Sequence, residues 1–258
     1  MNNMPGQNWI LLRGLARESA HWGAFVPQLQ SAFPDAQITL LDLPGTGHFY
    51  RDASPATIQE ITDNVRRLAL AKGCLQQPVT LLALSLGAMV AWEWMQRYPD
   101  DICAATLMNT SFADLSPFYQ RLRWQSYKDF IALLITRDVH KRELGLLQLT
   151  CNRRDQDAQL APAWAKIQQD RPVSLKNSVR QIIAAASFRP GDIKPKQPVL
   201  LLNGSCDRLV SPACSEAIHK KWQLQLRRHP WAGHDLTLDD GDWVIAQLKD
   251  WLADFKVM

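Results

Sequence analysis

Ala83-Leu84-Ser85-Leu86-Gly87 stands where an apolar run, residues 78–84 (PVTLLAL), gives way to a segment that reads as helix. A serine oxygen becomes chemically useful when a sharp strand-to-helix turn thrusts it clear of the chain. Such a turn strains the backbone at the serine and tolerates only small side chains two positions to either side. Ala83 and Gly87 meet that demand, and Ala88 and Ala91 let the following helix lie close to the strand. The helix N-terminus adds its partial positive charge beside the oxygen. Taken alone, the pentapeptide serves equally as the N-cap of that helix, and Ala83 stands where the commoner G-x-S-x-G has glycine.

A serine hydroxyl is a weak nucleophile until a base takes its proton. The chain offers His21, His48, His140, His219, His229 and His234. Where a serine sits on such a turn in a strand–helix chain, the acid and the base follow it in the order Ser, Asp, His. Asp207, in Gly204-Ser205-Cys206-Asp207, comes four residues after an apolar strand, 198–203 (PVLLLN). His234, in Gly233-His234-Asp235, falls between the last strand and the last helix. The separations are 122 residues from Ser85 to Asp207 and 27 from Asp207 to His234. Asp114, past the run 104–109, is the alternative acid. His48 is either a pocket residue or a plain loop histidine, His21 opens a helix, Asp235 reads as a helix-start or surface acid, and Cys206 as packing.

The elements that must position these residues alternate. Strands are predicted over 8–14 (NWILLRG), 36–43, 78–84, 104–109, 198–203 and 223–228. Between them, helices are predicted over 21–33, from Ser54-Pro55 to Gly73, over 87–98, 211–222 and 242–255. Strand–helix alternation with nearly continuous apolar strands predicts an α/β fold, a mostly parallel, doubly wound sheet with right-handed crossovers. Residues 111–187 break the rhythm. They contain no convincing strand but three helix-like pieces, 127–135, 141–149 and 175–188, and read as a helical insertion, a lid over the carboxyl edge of the sheet. The whole, 1–258, is expected to be one domain.

Charge is uneven. Residues 118–180 hold twelve Lys/Arg against six Asp/Glu, about +6, while the chain as a whole carries +4. This is either a solvated helical face or an attraction for an anionic substrate or carrier. A pI near 8.8 without a concentrated basic stripe argues against a nucleic-acid binder. Five cysteines, none in a C-x-x-C pair, suggest free thiols in a reducing compartment. No apolar stretch approaches a membrane span and the first residues do not read as a signal peptide, so a cytoplasmic location is expected. Gly45-Thr46-Gly47 lacks the third glycine of a dinucleotide loop and no metal-ligand spacing appears, so neither cofactor nor metal is expected.

Four short motifs at strand ends now combine. Leu12-Arg13-Gly14-Leu15, Leu41-Asp42-Leu43-Pro44-Gly45-Thr46-Gly47, Gly204 to Asp207 and Gly233-His234 occur in order around the serine pentapeptide. Together they resemble the α/β-hydrolase superfamily over nearly the whole chain. The resemblance implies Ser85 as nucleophile, His234 as general base, Asp207 as orienting carboxylate, and the backbone N–H groups of Leu15 and Leu86 as oxyanion donors. It implies hydrolysis of a carboxylic ester or thioester, with carbon–carbon bond hydrolysis, acyl transfer or non-catalytic ligand binding on the same scaffold as alternatives. Size and layout are similar to small bacterial carboxylesterases, including those acting on a carrier-bound pimeloyl methyl ester, and the partners implied are a small-molecule ester and an acidic acyl carrier. Arg13 departs from the histidine many relatives carry there. It either anchors the loop or holds a substrate carboxylate or phosphate. Arg13, His48 and Trp124 are the expected substrate contacts. Phe130, Leu133, Leu134, Leu146 and Leu147 are expected to join Trp124 in an acyl pocket.

Overall fold

The computed structural model describes residues 5–256. Six strands form one parallel sheet: β1 Asn8–Leu12, β2 Gln37–Leu41, β3 Val79–Leu84, β4 Ile102–Met108, β5 Val199–Gly204 and β6 Gln225–His229, in the order β2-β1-β3-β4-β5-β6. Leu12 pairs with Ala83 across β1 and β3, and Leu84 with Met108 across β3 and β4.

Because side chains alternate across a strand, each central strand feeds two cores. Ile10, Leu12, Leu81, Ala83, Ala105, Leu107 and Leu201 face one cluster, filled from α2 Ile58–Ala71, α3 Leu86–Arg97 and α9 Pro212–Trp222. Trp9, Leu11, Leu82, Leu84, Ala104, Met108 and Leu202 face the other, filled from α1 Phe25–Ala32 and α10 Leu236–Ala253. All six residues of β3 are buried, the condition under which a strand reads as an almost unbroken apolar run.

Chain order reverses on either side of β1 and β3, so their carboxyl ends flank the sheet's switch point, where such folds open a crevice. The serine turn follows β3 and the Arg13-Gly14-Leu15 loop follows β1.

Between β4 and β5, residues 111–187 contain helices and no strand: α4 Phe118–Arg121, α5 Tyr127–Ile135, α6 Val139–Thr150, α7 Asp157–Asp170 and α8 Leu175–Ser187. The sequence pattern misses α7, which carries Pro162 in its interior; burial of Ala161, Trp164 and Ala165 on one face outweighs the lost backbone bond. The predicted helix 21–33 is instead a 3-10 turn, Ser19–Trp22, followed by α1, because Gly23 takes φ +49° between them. The second helix starts at Ile58 rather than Pro55. Thr57 caps it by accepting from Glu60 N, while Ser54 is buried and gives its amide to Asn177 of α8. The last helix begins at Leu236, with a break at Asp240, rather than at 242.

Candidate active site

Ser85 sits at φ +56°, ψ −114°, a conformation L-residues rarely adopt. Its amide donates to Met108 O at 2.8 Å, and the Thr110 hydroxyl donates to its carbonyl at 3.0 Å. Strain of this kind persists only where the surroundings enforce it. The need for a small residue at 87 is visible in the packing: a Cβ there would stand 2.6 Å from the carbonyl oxygens of both Leu12 and Arg13.

Asp207 is fully buried beyond β5. Its Oδ1 accepts from the amides of Leu209 and Val210 at 2.7 and 2.9 Å, and its Oδ2 lies 2.7 Å from His234 Nδ1. With both oxygens committed, the carboxylate has a fixed direction and the ring a fixed tautomer preference, the second nitrogen being left as the basic one. Asp114, the alternative acid, makes no hydrogen bond to His234.

The residue that sequence reasoning missed is Asn109. It directly follows β4, at φ +46°, and is buried. Its Nδ2 donates to the carbonyls of Gly233 and His234 at 3.0 and 2.7 Å, and its Oδ1 accepts from Gly204 N at 2.9 Å and Asn203 Nδ2 at 3.1 Å. One side chain thus joins the segments that carry the acid and the histidine. The available signal was a polar residue closing an otherwise apolar strand.

Ser85, His234, Leu15 and Leu86 line one cavity of about 250 Å³. Among the described residues, neither the Ser85 hydroxyl nor the amides of Leu15 and Leu86 have a hydrogen-bond partner. The loop carrying Leu15 is held at three points. Arg13 pairs with Asp235, Ala16 N donates to Gln181 Oε1 of α8 at 2.8 Å, and Arg17 Nη1 lies 2.6 Å from the buried Glu143 of α6. Ala16 itself is at φ +52°.

Phe130, Leu133, Leu134 and Leu146 line the cavity as the sequence suggested, joined by Trp164 of the unforeseen α7. Trp124 and Leu147 do not. Trp124 is 63% exposed, and Leu147 is buried against Cys151 and Trp164 in a separate cluster. His48 is also outside the cavity: its exposed ring lies 2.8 Å from Asp42 Oδ2, and its amide donates to the same oxygen. Burial raises the Asp42 carboxyl, but these bonds and those from Ser19 outweigh it and leave Asp42 below the ordinary carboxylate range.

Arg13 is 3% exposed and its guanidinium faces Asp235, Nη2 to Oδ2 at 2.5 Å and Nη1 to Oδ1 at 3.4 Å, with Trp22 stacked 4.8 Å away. It anchors the loop on Asp235, a buried partner rather than a surface acid, and both residues also line the cavity. Burial raises the Asp235 carboxyl, but Arg13 and the Thr237 hydroxyl outweigh it and hold the group below the usual range. His21 is buried too, edge-on to Trp164 at 5.1 Å. Burial first, then Arg17 and Arg13, holds it well below the ordinary imidazole range. Cys206 is exposed rather than packed.

Among the described residues no helix is long and apolar enough to cross a membrane. A parallel sheet with a strained serine at its switch point and a paired Asp–His opposite defines a hydrolase architecture. The chain belongs to the Alpha/beta hydrolase family, whose model matches residues 9–247. No curated protein sequence matches it significantly. Among solved structures it is similar to the enol-lactonase from Burkholderia xenovorans LB400, with TM-score 0.75 and 20% identity over 98% of this chain and 92% of that one. It is similar to a thermophilic esterase from Thermogutta terrifontis solved with malate, with TM-score 0.71 and 20% identity over 98% and 92%. A lipase-esterase related protein from Clostridium acetobutylicum aligns with TM-score 0.73 and 16% identity over 95% and 94%. At these identities the likeness is one of fold.

Proposed function

We propose that this chain is a serine hydrolase that cleaves a carboxylic ester, or a thioester, through an acyl-enzyme on Ser85. The observation that carries the reading is the Asp207–His234 bond at 2.7 Å, made at the edge of the cavity that also receives the strained Ser85. In the first half-reaction the free nitrogen of His234 takes the Ser85 proton as Oγ bonds to the acyl carbon. The carbonyl electron pair moves onto oxygen, toward the amides of Leu15 and Leu86. Collapse expels the alkoxide or thiolate, which leaves with the proton from His234. Water then repeats the sequence and frees the acid. Asp207 keeps its charge throughout and stabilises the imidazolium.

The helices of residues 111–187 act as the lid of this site, and their apolar side chains, with Phe130, Leu133 and Leu146 in the wall, suit an apolar acyl group. Excluding water there strengthens the electrostatics of the reaction. The excess of cations over residues 118–180 supports a second reading of the partner, an acidic acyl carrier presenting the acyl chain. Titration with an acyl carrier protein at low and high salt tests that reading, which fails without salt-sensitive binding.

Labelling the purified protein with a fluorophosphonate tests the proposal. Ser85 is expected to react and Ser85→Ala to remain unlabelled; an inert Ser85 favours a ligand-binding protein on this scaffold. Hydrolysis of esters and thioesters, set against vinylogous diketones and acyl acceptors, separates esterase from carbon–carbon hydrolase and acyltransferase.

A further inference from the structure

The Arg13–Asp235 pair joins two loops that the proposed reaction needs in register. Arg13 stands two residues before Leu15, and Asp235 is the residue after His234. Both side chains are 3% exposed. Asp235 is fixed independently of Arg13: its Oδ1 accepts from the Thr237 hydroxyl at 2.8 Å, and its amide donates to Thr150 O at 3.0 Å at the end of α6. Arg13 is likewise fixed from its own side by Trp22. The guanidinium fork therefore spans a defined gap with two planar contacts, a geometry that a flexible point charge does not reproduce.

We infer that Arg13 and Asp235 are a positioning pair that sets the oxyanion amide of Leu15 relative to the imidazole of His234, so that proton acceptor and oxyanion donor face one carbonyl. The inference rests on the proposed hydrolase reading. Apolar packing would hold these loops together as well, since a buried ion pair is weak evidence for stability. What the pair adds is a fixed orientation and a mutual neutralisation beside the base. Asp207 on the ring's other nitrogen, and Arg17, Arg121, Arg142 and Glu143 elsewhere in the cavity lining, are common to every variant below.

The test is steady-state hydrolysis of 4-nitrophenyl butyrate across pH by the full chain and by Arg13→Met, Asp235→Asn, Arg13→Lys and Arg13→Met/Asp235→Leu. Each single variant is expected to lose about 100-fold in kcat, the scale of a misaligned oxyanion donor, with KM within about threefold. The acid limb of kcat/KM is expected to move in opposite directions. In Arg13→Met the unpaired carboxylate favours the protonated ring and the limb moves to higher pH. In Asp235→Asn the unpaired guanidinium disfavours it and the limb moves to lower pH. Arg13→Lys, which keeps the charge but not the fork, is expected to lose kcat with the limb unmoved. The double variant, free of any stranded charge, keeps the assay readable where a single variant fails to fold, and it too is expected to lose kcat with the limb unmoved. Folded variants with kcat within threefold of the parent, or limbs moving the same way, overturn the positioning role. A parent protein that neither reacts with a fluorophosphonate nor cleaves the ester overturns the hydrolase reading instead.

Discussion

Asn109 Nδ2 donates to the His234 carbonyl at 2.7 Å, and the same side chain accepts from Gly204 N, so one buried amide fixes the histidine loop against the strand that leads to Asp207. Asn109→Ala strands the carbonyls of Gly233 and His234 and the amide of Gly204 in a buried site. Each lost partner costs on the order of 1–3 kcal/mol. A drop of about 2–4 kcal/mol in unfolding free energy is expected in urea denaturation, together with a loss of kcat, because the ring carrying Nδ1 is no longer held on its acid. Unchanged stability in this variant would contradict the clamp.

Asp207→Asn keeps the shape but offers an amide where the ring nitrogen needs an acceptor. The imidazole then loses its preferred tautomer, and kcat is expected to fall on the order of 10⁴-fold with KM little changed. Steady-state kinetics on a chromogenic ester measures it. A variant retaining a tenth of the parent rate would remove Asp207 from the role proposed for it. Asp114→Asn, by contrast, is expected to leave kcat within a factor of about three.

A base must be neutral to accept the serine proton. Activity is therefore expected to fall on acidification, with slope one in log kcat/KM against pH. A profile with no acid limb would sink the assignment.

His21 gives a stability prediction of definite sign. Burial, then Arg17 and Arg13, keeps its folded-state pKa well below 6.5. In the unfolded chain the ring titrates near about 6.5. Below that value the unfolded chain binds a proton that the folded chain refuses. Its contribution to stability is thus intact above about pH 6.5 and declines as pH falls, by up to about 1.4 kcal/mol per unit. Chemical denaturation of the parent and His21→Gln between pH 7 and 5 isolates it: the difference in stability between them should change by about one proton's worth over that range. Parallel stability curves would exclude a buried, neutral His21.

Thr57 caps the second helix through Glu60 N, whereas Ser54 does not cap it. Thr57→Ala is expected to cost about 1 kcal/mol with catalysis untouched, measurable as a shift in the urea midpoint. An equal loss from Ser54→Ala and none from Thr57→Ala would restore the start suggested by Ser54-Pro55.

Local chemistry was legible in the residues themselves. A β3 buried on both faces has to be apolar nearly throughout, Thr80 being its polar member, and a serine turn against β1 has to have Gly87, so strand, turn and helix were readable without a fold. The order Ser85, Asp207, His234 was readable because each follows a strand at the same edge of the sheet. Long-range pairings were not. Arg13 and Asp235 are 222 residues apart, and an arginine seeking solvent, a substrate or a buried carboxylate looks the same in sequence. Asn109 carries its role only through carbonyls brought to it from beyond β5, and Trp124 and Leu147 fit a helical stripe equally well whether that stripe faces a cavity, a neighbour or water. Spacing along the chain specifies which face of an element is apolar; only the packing of one element on another decides what that face meets.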